Sequence, residues 1–347
     1  MKGKYRFPAL KMIVLLILLF VAILVAVSVG SADLSVKDSL YIMLSKILGF
    51  DVSSGKNVIS EIYVRIVWDI RMPRILTAAL VGGALALVGA VFQGIFQNSL
   101  ADPYTLGVSS GAALGATIAM LFGSSIQIFA FGTVGLFSFI GAILTVFVVY
   151  HVAGISGKAT TVNMLLTGTA ISTLLSAVIS LIMTFHDDEI SKVYMWTMGS
   201  FASATWEKVC FLVIFVGIGS VIFIILAEKL NLMLMGEEEA KCLGLDTNKL
   251  RKLFIVTASL LVAASVSVSG IIGFVGLIIP HCVRMLSGAD HRKLLPFAGV
   301  TGAIFLVICD TVARTIAAPT EIPVGIITSL FGVPYFIFLL MRQQKQR

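Results

Sequence analysis

The chain has 347 residues, of which 58% are hydrophobic and only 12% charged, with a formal net charge of +7. This composition, with a mean hydropathy of +1.04, excludes a water-soluble globule, which needs a charged exterior. Unbroken apolar runs at 12–30 and 209–227 exclude a β-barrel, because barrel strands alternate in polarity over about ten residues. The composition predicts an all-α, polytopic membrane protein with a single transmembrane domain over residues 1–347.

The first apolar run follows four basic residues and therefore looks like a signal peptide. It is long, however, and lacks a small-x-small cleavage site before Asp33. We interpret it as a retained first span over about residues 10–30. Further spans are predicted near 73–95, 107–123, 128–150, 161–184, 208–228, 295–316 and 323–341.

Residues 253–283 carry no charge, yet one helix of that length would measure about 46 Å, against about 30 Å for a hydrocarbon core. Gly270, Gly273, Gly276 and Pro280 predict a break, so this stretch supplies two crossings and the total is about ten.

The distribution of charge predicts the orientation. With both termini cytoplasmic, ten crossings of the cell membrane place 16 of the 25 basic residues on its cytoplasmic side, as the positive-inside rule expects. The net charge then follows from topology, and no nucleic-acid partner is needed to explain it.

Small residues recur every four positions in two of the predicted spans. Such ladders let helix backbones approach closely in lipid, so these spans are expected in the packed interior of the bundle. The ladders are Ala78, Gly82, Ala86, Ala90 and Gly94, and Gly107, Gly111, Gly115, Ala119 and Gly123.

The loop at about 229–252 predicts a short amphipathic helix pair at the cytoplasmic surface. Gly236 ends the first helix, and Glu237 begins a run of acids in the first turn of the second, where the helix dipole favours them. Ala240, Leu243 and Gly244 are expected to form a small apolar contact face. A solvated loop helix is the alternative.

Four blocks, in order and spacing, carry a family resemblance over about residues 60–341. They are Arg71-Met-Pro-Arg74, the segment 97–111 that begins Gln-Asn-Ser-Leu-Ala-Asp-Pro, the loop 236–245, and Gly273 to Arg284 with Asp290-His-Arg292. The sequence resembles the FecCD-like permeases of type II ABC importers, which carry iron-siderophore, haem and vitamin B12.

The resemblance implies a permease that pairs with a second copy of itself or a close paralogue. It also implies two ABC ATPase subunits, an extracytoplasmic substrate-binding protein and surrounding membrane lipid as partners. The expected cargo is an iron chelate, with ferric siderophore favoured and haem or cobalamin as alternatives.

The resemblance also assigns roles to particular residues. Arg71, Arg74 and Arg314 match arginines that meet acids of the binding protein, and guanidinium groups suit such recognition. Asn98, Leu100 and Thr161 match a cytoplasmic gate, although Ser99 replaces a proline and Val162 a small hydroxyl residue. Residues 236–244 match the helix that couples to the ATPase.

No catalytic residue, metal ligand set or cofactor is predicted. Residues 49–57 approach a phosphate-binding loop, but the spacing is one residue too long and Asn57 stands where Ser or Thr should hold magnesium. The chain is therefore predicted not to be an enzyme, and ATP and Mg²⁺ would be bound by the partner ATPase.

An ion-coupled secondary transporter is the alternative function. It expects carboxylates at mid-membrane, and Asp310 is the one acid well within a predicted span. Asp310 stands four residues before Arg314, which favours an internal ion pair over a proton relay. A membrane-embedded enzyme would need converging acids or histidines, and the sequence predicts none.

Overall fold

The computed structural model describes residues 6–30, 34–49, 60–122, 132–155 and 160–344, and every regular element in these ranges is helical. The helices are α1 Arg6–Ser28, α2 Val36–Leu48, α3 Glu61–Arg65, α4 Met72–Ile95, α5 Val108–Phe122, α6 Thr133–Gly154, α7 Thr161–Thr184, α8 Ile190–Thr197, α9 Trp206–Ile225, α10 Ala227–Met233, α11 Glu237–Cys242, α12 Thr247–Ser269, α13 Val275–Ser287, α14 His291–Ala313 and α15 Val324–Gln344. A π-helical turn, Ile66–Arg71, joins α3 to α4, and a short 3₁₀ turn, Asp187–Glu189, precedes α8.

The described helices supply the predicted crossings. Seven are long and apolar enough to span a bilayer, and α5, α13 and part of α15 are shorter apolar helices. The stretch predicted to cross twice is divided between α12 and α13, so the all-α fold with about ten transmembrane helices is confirmed.

The break between α12 and α13 spans residues 270–274. Gly270 has a φ of 71° and Phe274 a φ of 69°, so the chain leaves one helix and enters the next through left-handed backbone. Gly276 and Pro280, which were expected to contribute to the break, lie inside α13. Pro280 is the sixth residue of α13 and cannot donate to the carbonyl oxygen of Gly276, which accepts instead from Gln93 Nε2 at 3.4 Å.

The second crossing is longer than the sequence predicted. It runs without interruption from Glu61 to Ile95, and 35 residues at about 1.5 Å each exceed the thickness of a hydrocarbon core of about 30 Å. The charged residues within 61–71 concealed this extension, because they lower the hydropathy of a segment that nevertheless remains helical.

Helix α4 occupies the centre of the bundle, with α14, α13, α12 and α9 around it. A Cβ added at Gly82 would overlap the carbonyl oxygen of Gly302 on α14, and one at Gly89 would overlap that of Gly276 on α13. Contacts of backbone against backbone require the missing side chain. The predicted role of the α4 ladder in close packing is confirmed.

The second ladder packs α5 against α6. A Cβ at Gly111 would overlap Thr145, and one at Gly115 would overlap the carbonyl oxygen of Phe137. Gly123, the last member of this ladder, lies outside the described residues. Helix α5 is therefore held to α6 by the same backbone proximity that holds α4 to α14.

Two ends of the bundle can be defined from these contacts. Helices α4 and α14 are antiparallel, because Arg74 bonds Asp310 at one end while Gly94 lies beside His291 at the other. The first is termed the arginine end. The second is termed the coupling end, because α10 and α11 lie there.

The segment 96–107 folds back into the bundle from the coupling end. A Cβ at Gly276 would meet both Pro103 and the carbonyl oxygen of Leu85, so Pro103 lies level with residues two turns or more inside α4. Irregular backbone at that depth is tolerated because neighbouring helices cover it. This re-entry explains why α5 is short.

Candidate functional site

The predicted helix pair at the coupling end is present as α10 and α11. Gly236 lies between them with a φ of 139°, a conformation that other residues rarely adopt, and the α11 turn begins directly after it. The side chain of Glu237 lies outside the described part of the structure. The sequence therefore predicts both helices and the junction between them.

The expected contact face of α11 is divided by the structure. Ala240 is fully buried (0% exposed) against its own chain, whereas Leu243 is 59% exposed and Gly244 is open on its Cβ side within the described residues. Ala240 thus differs from its expected position, because α11 turns that side toward α10 and α12. Exposed Met235 joins Leu243 as an apolar surface at the coupling end.

Asn231 ties α10 to the loop before α14, a link that sequence analysis missed. Its side-chain nitrogen donates to Asp290 Oδ1 at 2.7 Å, and its oxygen accepts from the backbone N–H of His291 at 2.9 Å. Hydrogen bonds from Arg292, the largest influence, and from Asn231 lower the pKa of Asp290 to about 2. A polar residue in the otherwise apolar turn 230–235 was the available signal.

The predicted gate residues also lie at the coupling end. Asn98 Oδ1 accepts from the backbone N–H of Leu100 at 2.9 Å, which fixes the turn that begins the re-entrant segment. Leu100 is exposed. Asn98 therefore stabilises the turn, and Leu100 lies on its surface. The gate role of both residues stays a prediction.

Thr161 is brought together with the coupling helices. A cavity of about 380 Å³ is lined by Thr161, Gln97, Met233, Gly236 and Arg251, among others. Gln97 Nε2 also donates to the carbonyl oxygen of Met233 at 3.2 Å. The start of α7, the re-entrant segment and the α10–α11 junction therefore share one space, which sequence spacing did not reveal.

Tyr104 fastens the re-entrant segment to the break between α12 and α13. Its hydroxyl donates to the carbonyl oxygen of Ile272 at 3.0 Å and accepts from the N–H of the same residue at 3.2 Å. One side chain thus satisfies both polar backbone groups of a residue outside any helix. Sequence analysis quoted Tyr104 within a motif but did not foresee this contact.

The three predicted docking arginines meet at the arginine end, and each is buried. Arg74 Nη2 lies 2.9 Å from Asp310 Oδ1, and its Nη1 lies 2.8 Å from Glu321 Oε1. Asp310 is buried, whereas the Glu321 side chain is 44% exposed. Arg74 therefore connects a buried acid to an acid at the surface.

The other two arginines bond to the end of α1. Arg71 Nη1 donates to the carbonyl oxygen of Val27 at 2.6 Å, and Arg314 Nη2 donates to that of Ala26. Arg314 Nε lies 4.0 Å from Asp310 Oδ2. The internal pair predicted for Asp310 is thus dominated by Arg74, because α4 presents its guanidinium directly to the carboxylate.

Together these five side chains form the arginine cluster: Arg71, Arg74, Asp310, Arg314 and Glu321. It holds three guanidinium groups and two carboxylates, so one positive charge is in excess. The arginines were expected to meet acids of a binding protein, but their guanidinium groups are bonded within the chain. Direct contact of these arginines with a partner stays a prediction.

Helix α7 presents a row of hydroxyl groups to the outside of the chain. Little of this helix is buried within the chain, and five exposed hydroxyl residues lie within one helical face. They are Thr169, Thr173, Ser176, Ser180 and Thr184. Thr169 and Thr173 donate to carbonyl oxygens four residues earlier, which leaves their oxygen lone pairs facing outward.

Comparison with known proteins places the chain in a family. The model of the FecCD transport family matches residues 17–342. The chain is 46% identical over 275 residues to the cobalamin import system permease protein BtuC of Halobacterium salinarum, covering 79% of this chain and 73% of that protein. It is 40% identical over 285 residues to the hemin transport system permease protein HmuU of Yersinia pestis, covering 81% and 85%.

A solved structure agrees with this result. An ABC transporter of the metal-chelate type, in an inward-facing conformation, aligns with 96% of this chain and 99% of its own, with a TM-score of 0.82 and 35% identity. The architecture described above is that of an ABC importer permease. The chain belongs to the FecCD transport family.

Proposed function

We propose that the chain is the membrane-spanning subunit of an importer that carries a metal chelate between two permease copies. The observation that carries this proposal is the exposed hydroxyl row of α7. Helix α6 exposes apolar residues such as Phe137, Ile140, Leu144 and Phe147 and no hydroxyl residue, as a surface in contact with lipid acyl chains would. Helix α7 exposes Leu166, Leu174 and Leu181 as well, but beside its hydroxyl row.

A row of hydroxyl groups has little to gain from lipid. Because their protons are used within the helix, the oxygens offer weak acceptors to a passing polar solute without binding it tightly. Two copies that place their α7 rows face to face would enclose such a pathway. The second copy, identical or a close paralogue, is part of this proposal.

The coupling end is proposed to face the cytoplasm. Exposed Met235 and Leu243 lie beside basic residues such as Lys241 and Lys249, and basic loops favour the cytoplasmic side. Two ATPase subunits would bind there and supply ATP hydrolysis with Mg²⁺, while this chain catalyses no reaction. The chain would then lie in the inner or cytoplasmic membrane, with both termini on the cytoplasmic side.

A binding protein is proposed to dock at the arginine end. Since Arg71, Arg74 and Arg314 are bonded within the chain, we expect the excess positive charge of the arginine cluster to attract an acidic partner surface. Direct contact of the guanidinium groups would require the partner to displace Glu321, the exposed member of the cluster. We therefore propose that the binding protein is attracted by the net positive charge of the arginine cluster and does not bond directly to free arginine side chains.

For the cargo we propose a metal chelate, with ferric siderophore first and haem or cobalamin, a cobalt complex, next. The relative from Halobacterium salinarum is named for cobalamin and that from Yersinia pestis for hemin. All three are bulky, multidentate complexes, and a wide pathway lined by hydroxyl and small apolar groups suits them as a class.

The pathway can be tested by cysteine labelling. Thr173→Cys and Leu144→Cys, each in a background without the four natural cysteines, would be reconstituted with the ATPase and treated with a small water-soluble thiosulfonate reagent. Thr173→Cys should react and lose uptake of a radiolabelled ferric siderophore, haemin or cyanocobalamin. Leu144→Cys on α6 should remain unlabelled and active.

Two outcomes would contradict the proposal. Labelling of Leu144→Cys with no labelling of Thr173→Cys would place α7 against lipid. Uptake that persists without the ATPase and follows an ion gradient would instead favour the secondary transporter, although Asp310 is already paired with Arg74 and is a poor coupling group.

A further inference from the structure

A narrow slot opens between α6 and α12 toward the coupling end. Its volume is about 300 Å³, and its walls are apolar, with Ile143 and Val146 on α6 and Ile255 and Leu260 on α12. At about 30 Å³ for a water molecule, this space holds about ten small groups. A segment of one acyl chain fits, whereas a folded domain or a helix does not.

The mouth of the slot carries charge and hydrogen-bonding capacity. Lys252 stands in the second turn of α12, and His151 and Tyr150 stand near the end of α6. Lys252 and His151 are exposed. The slot is thus basic and polar at the coupling end and apolar farther in, the same order that a phospholipid presents from headgroup to chain.

Ser259 provides a second and independent observation. It lines the slot, is only 3% exposed, and its Oγ has no hydrogen-bond partner among the residues that the structure describes. A buried hydroxyl without a partner is costly, and an acceptor supplied by a ligand would remove that cost. Helical spacing places Ser259 roughly 10 Å deeper than Lys252.

That depth distinguishes possible acceptors. The headgroup layer on each side of a bilayer is on the order of 5 to 8 Å thick, so a group roughly 10 Å inside the charged level meets the glycerol esters and the first methylenes. Ester carbonyl oxygens accept hydrogen bonds, and methylenes match the walls. A free phosphate ion would satisfy Lys252 but could not reach Ser259.

We infer that the slot binds one anionic phospholipid from the leaflet at the coupling end. Its phosphate lies against Lys252 and His151, its ester carbonyl accepts from Ser259, and one acyl chain fills the apolar part. The neighbouring outward face of α6, with Phe147, is apolar and adjoins the same opening, so the lipid enters from the bilayer. This inference does not depend on the proposed function. If the coupling end faces the cytoplasm, as proposed above, the leaflet is the cytoplasmic one.

Lipid retention by the full chain would test the inference. Delipidated protein in mild detergent would be titrated with dioleoylphosphatidylglycerol or dioleoylphosphatidylcholine and observed by native mass spectrometry. The anionic lipid should be retained at least about fivefold more tightly, since one basic residue near an anionic lipid contributes a factor of that order. Lys252→Gln should remove this preference.

A matched control is available on the same helix. Lys249 lies three residues earlier, pairs with Asp246 at 3.0 Å and does not line the slot. Lys249→Gln should leave retention unchanged. An equal effect of the two lysine variants would indicate general attraction of anionic lipid and would overturn the site.

Two further variants separate binding from folding. Ser259→Ala should weaken retention of both lipids by several-fold without lowering the melting temperature of delipidated protein, because the hydroxyl it removes is unpaired there. Ile143→Trp should fill the slot and abolish retention. Equal retention of the two lipids by the unaltered chain, or full retention in Ser259→Ala, would refute the inference, and neither readout depends on transport.

Discussion

Arg74 and Asp310 form a buried ion pair that joins α4 to α14, with Arg74 Nη2 2.9 Å from Asp310 Oδ1. The two residues are 236 positions apart in sequence, and Arg74 Nε also donates to the same carboxylate at 3.0 Å. Two donors on one carboxylate fix the relative position of the helices at the arginine end. The pair therefore holds α4 and α14 together at the arginine end.

The first prediction concerns this pair. Asp310→Ala should destabilise the chain by about 3 to 5 kcal/mol, because it leaves a buried guanidinium without its main partner. Thermal unfolding in detergent would measure the loss. Replacing both residues, as Arg74→Met with Asp310→Leu, should recover much of the stability, and a double variant as unstable as Asp310→Ala would contradict the explanation.

The second prediction concerns docking at the arginine end. Glu321→Gln removes the exposed acid and should strengthen association with an acidic binding-protein surface at low salt, with a smaller gain at high salt. Surface-immobilised permease and soluble binding protein would give the dissociation constants. Glu61→Gln, at another exposed acid before α4, should have little effect.

Weaker association in Glu321→Gln would reverse this conclusion. It would mean that Glu321 itself contacts the partner, or that Arg74 needs Glu321 to keep its position. Reversing the charge of all three arginines, by contrast, is a poor test, because their bonds to α1 and Asp310 support the fold.

The third prediction concerns the coupling surface. Leu243→Glu places a charge on an exposed apolar position and should reduce ATPase co-purification and ATP-driven uptake together, while membrane insertion remains normal. Lys241→Gln, also exposed on α11, is the control. Normal ATPase association in Leu243→Glu would exclude this face as the docking site.

Gly244 is less suitable for the same test. Its φ of 80° is strained for any residue with a Cβ, so a change there alters the backbone as well as the surface. A loss of coupling in a Gly244 variant would not identify the contact.

The fourth prediction concerns backbone packing. Gly82→Ala should destabilise the chain by about 1 to 3 kcal/mol, since its Cβ would overlap the carbonyl oxygen of Gly302. Gly217→Ala, on the exposed side of α9 with nothing within 4 Å of its added Cβ in the described residues, should be neutral or slightly stabilising. The melting temperatures of the two variants in detergent test this prediction. Equal melting temperatures would contradict the close packing at Gly82.

The fifth prediction concerns pH. The pKa of Asp290 is about 2 in the folded chain, below the ordinary value of about 3.9, so its ionised form contributes stability that is fully present above about pH 4. That contribution is lost as pH falls toward 2. The difference in melting temperature between the unaltered chain and Asp290→Asn should therefore shrink over this interval, and a difference independent of pH would contradict the assignment.

Much of the topology could be predicted from sequence because lipid imposes simple requirements. Span length, glycine spacing and the excessive length of 253–283 each reflect a physical limit that acts locally. The α11 helix and the turn at Gly236 could likewise be predicted, because a glycine at a helix end and acids in a first turn are visible in the local sequence. These features need no knowledge of distant residues.

The remaining features depend on contacts between distant segments. The burial of Ala240, the bridge from Tyr104 to Ile272 and the cavity that joins Thr161 to Gly236 arise only when several helices are assembled. The pairing of Asp310 was predicted with Arg314 because spacing on one helix is visible in sequence. Its stronger partner, Arg74, lies on another helix and gave no such signal.

The π-helical turn Ile66–Arg71 has a consequence for comparing and recombining permeases. A π turn holds one residue more than an α turn, so a chain that lacks one residue here can continue as plain α-helix. Side chains on 61–65 would then keep their orientation relative to Arg74, because the wider turn already absorbs the extra residue. Alignments should accordingly admit a single-residue gap within 66–71, and a chimera joined at this helix can replace the π turn by a shorter α turn while its outer segment still faces the same neighbours.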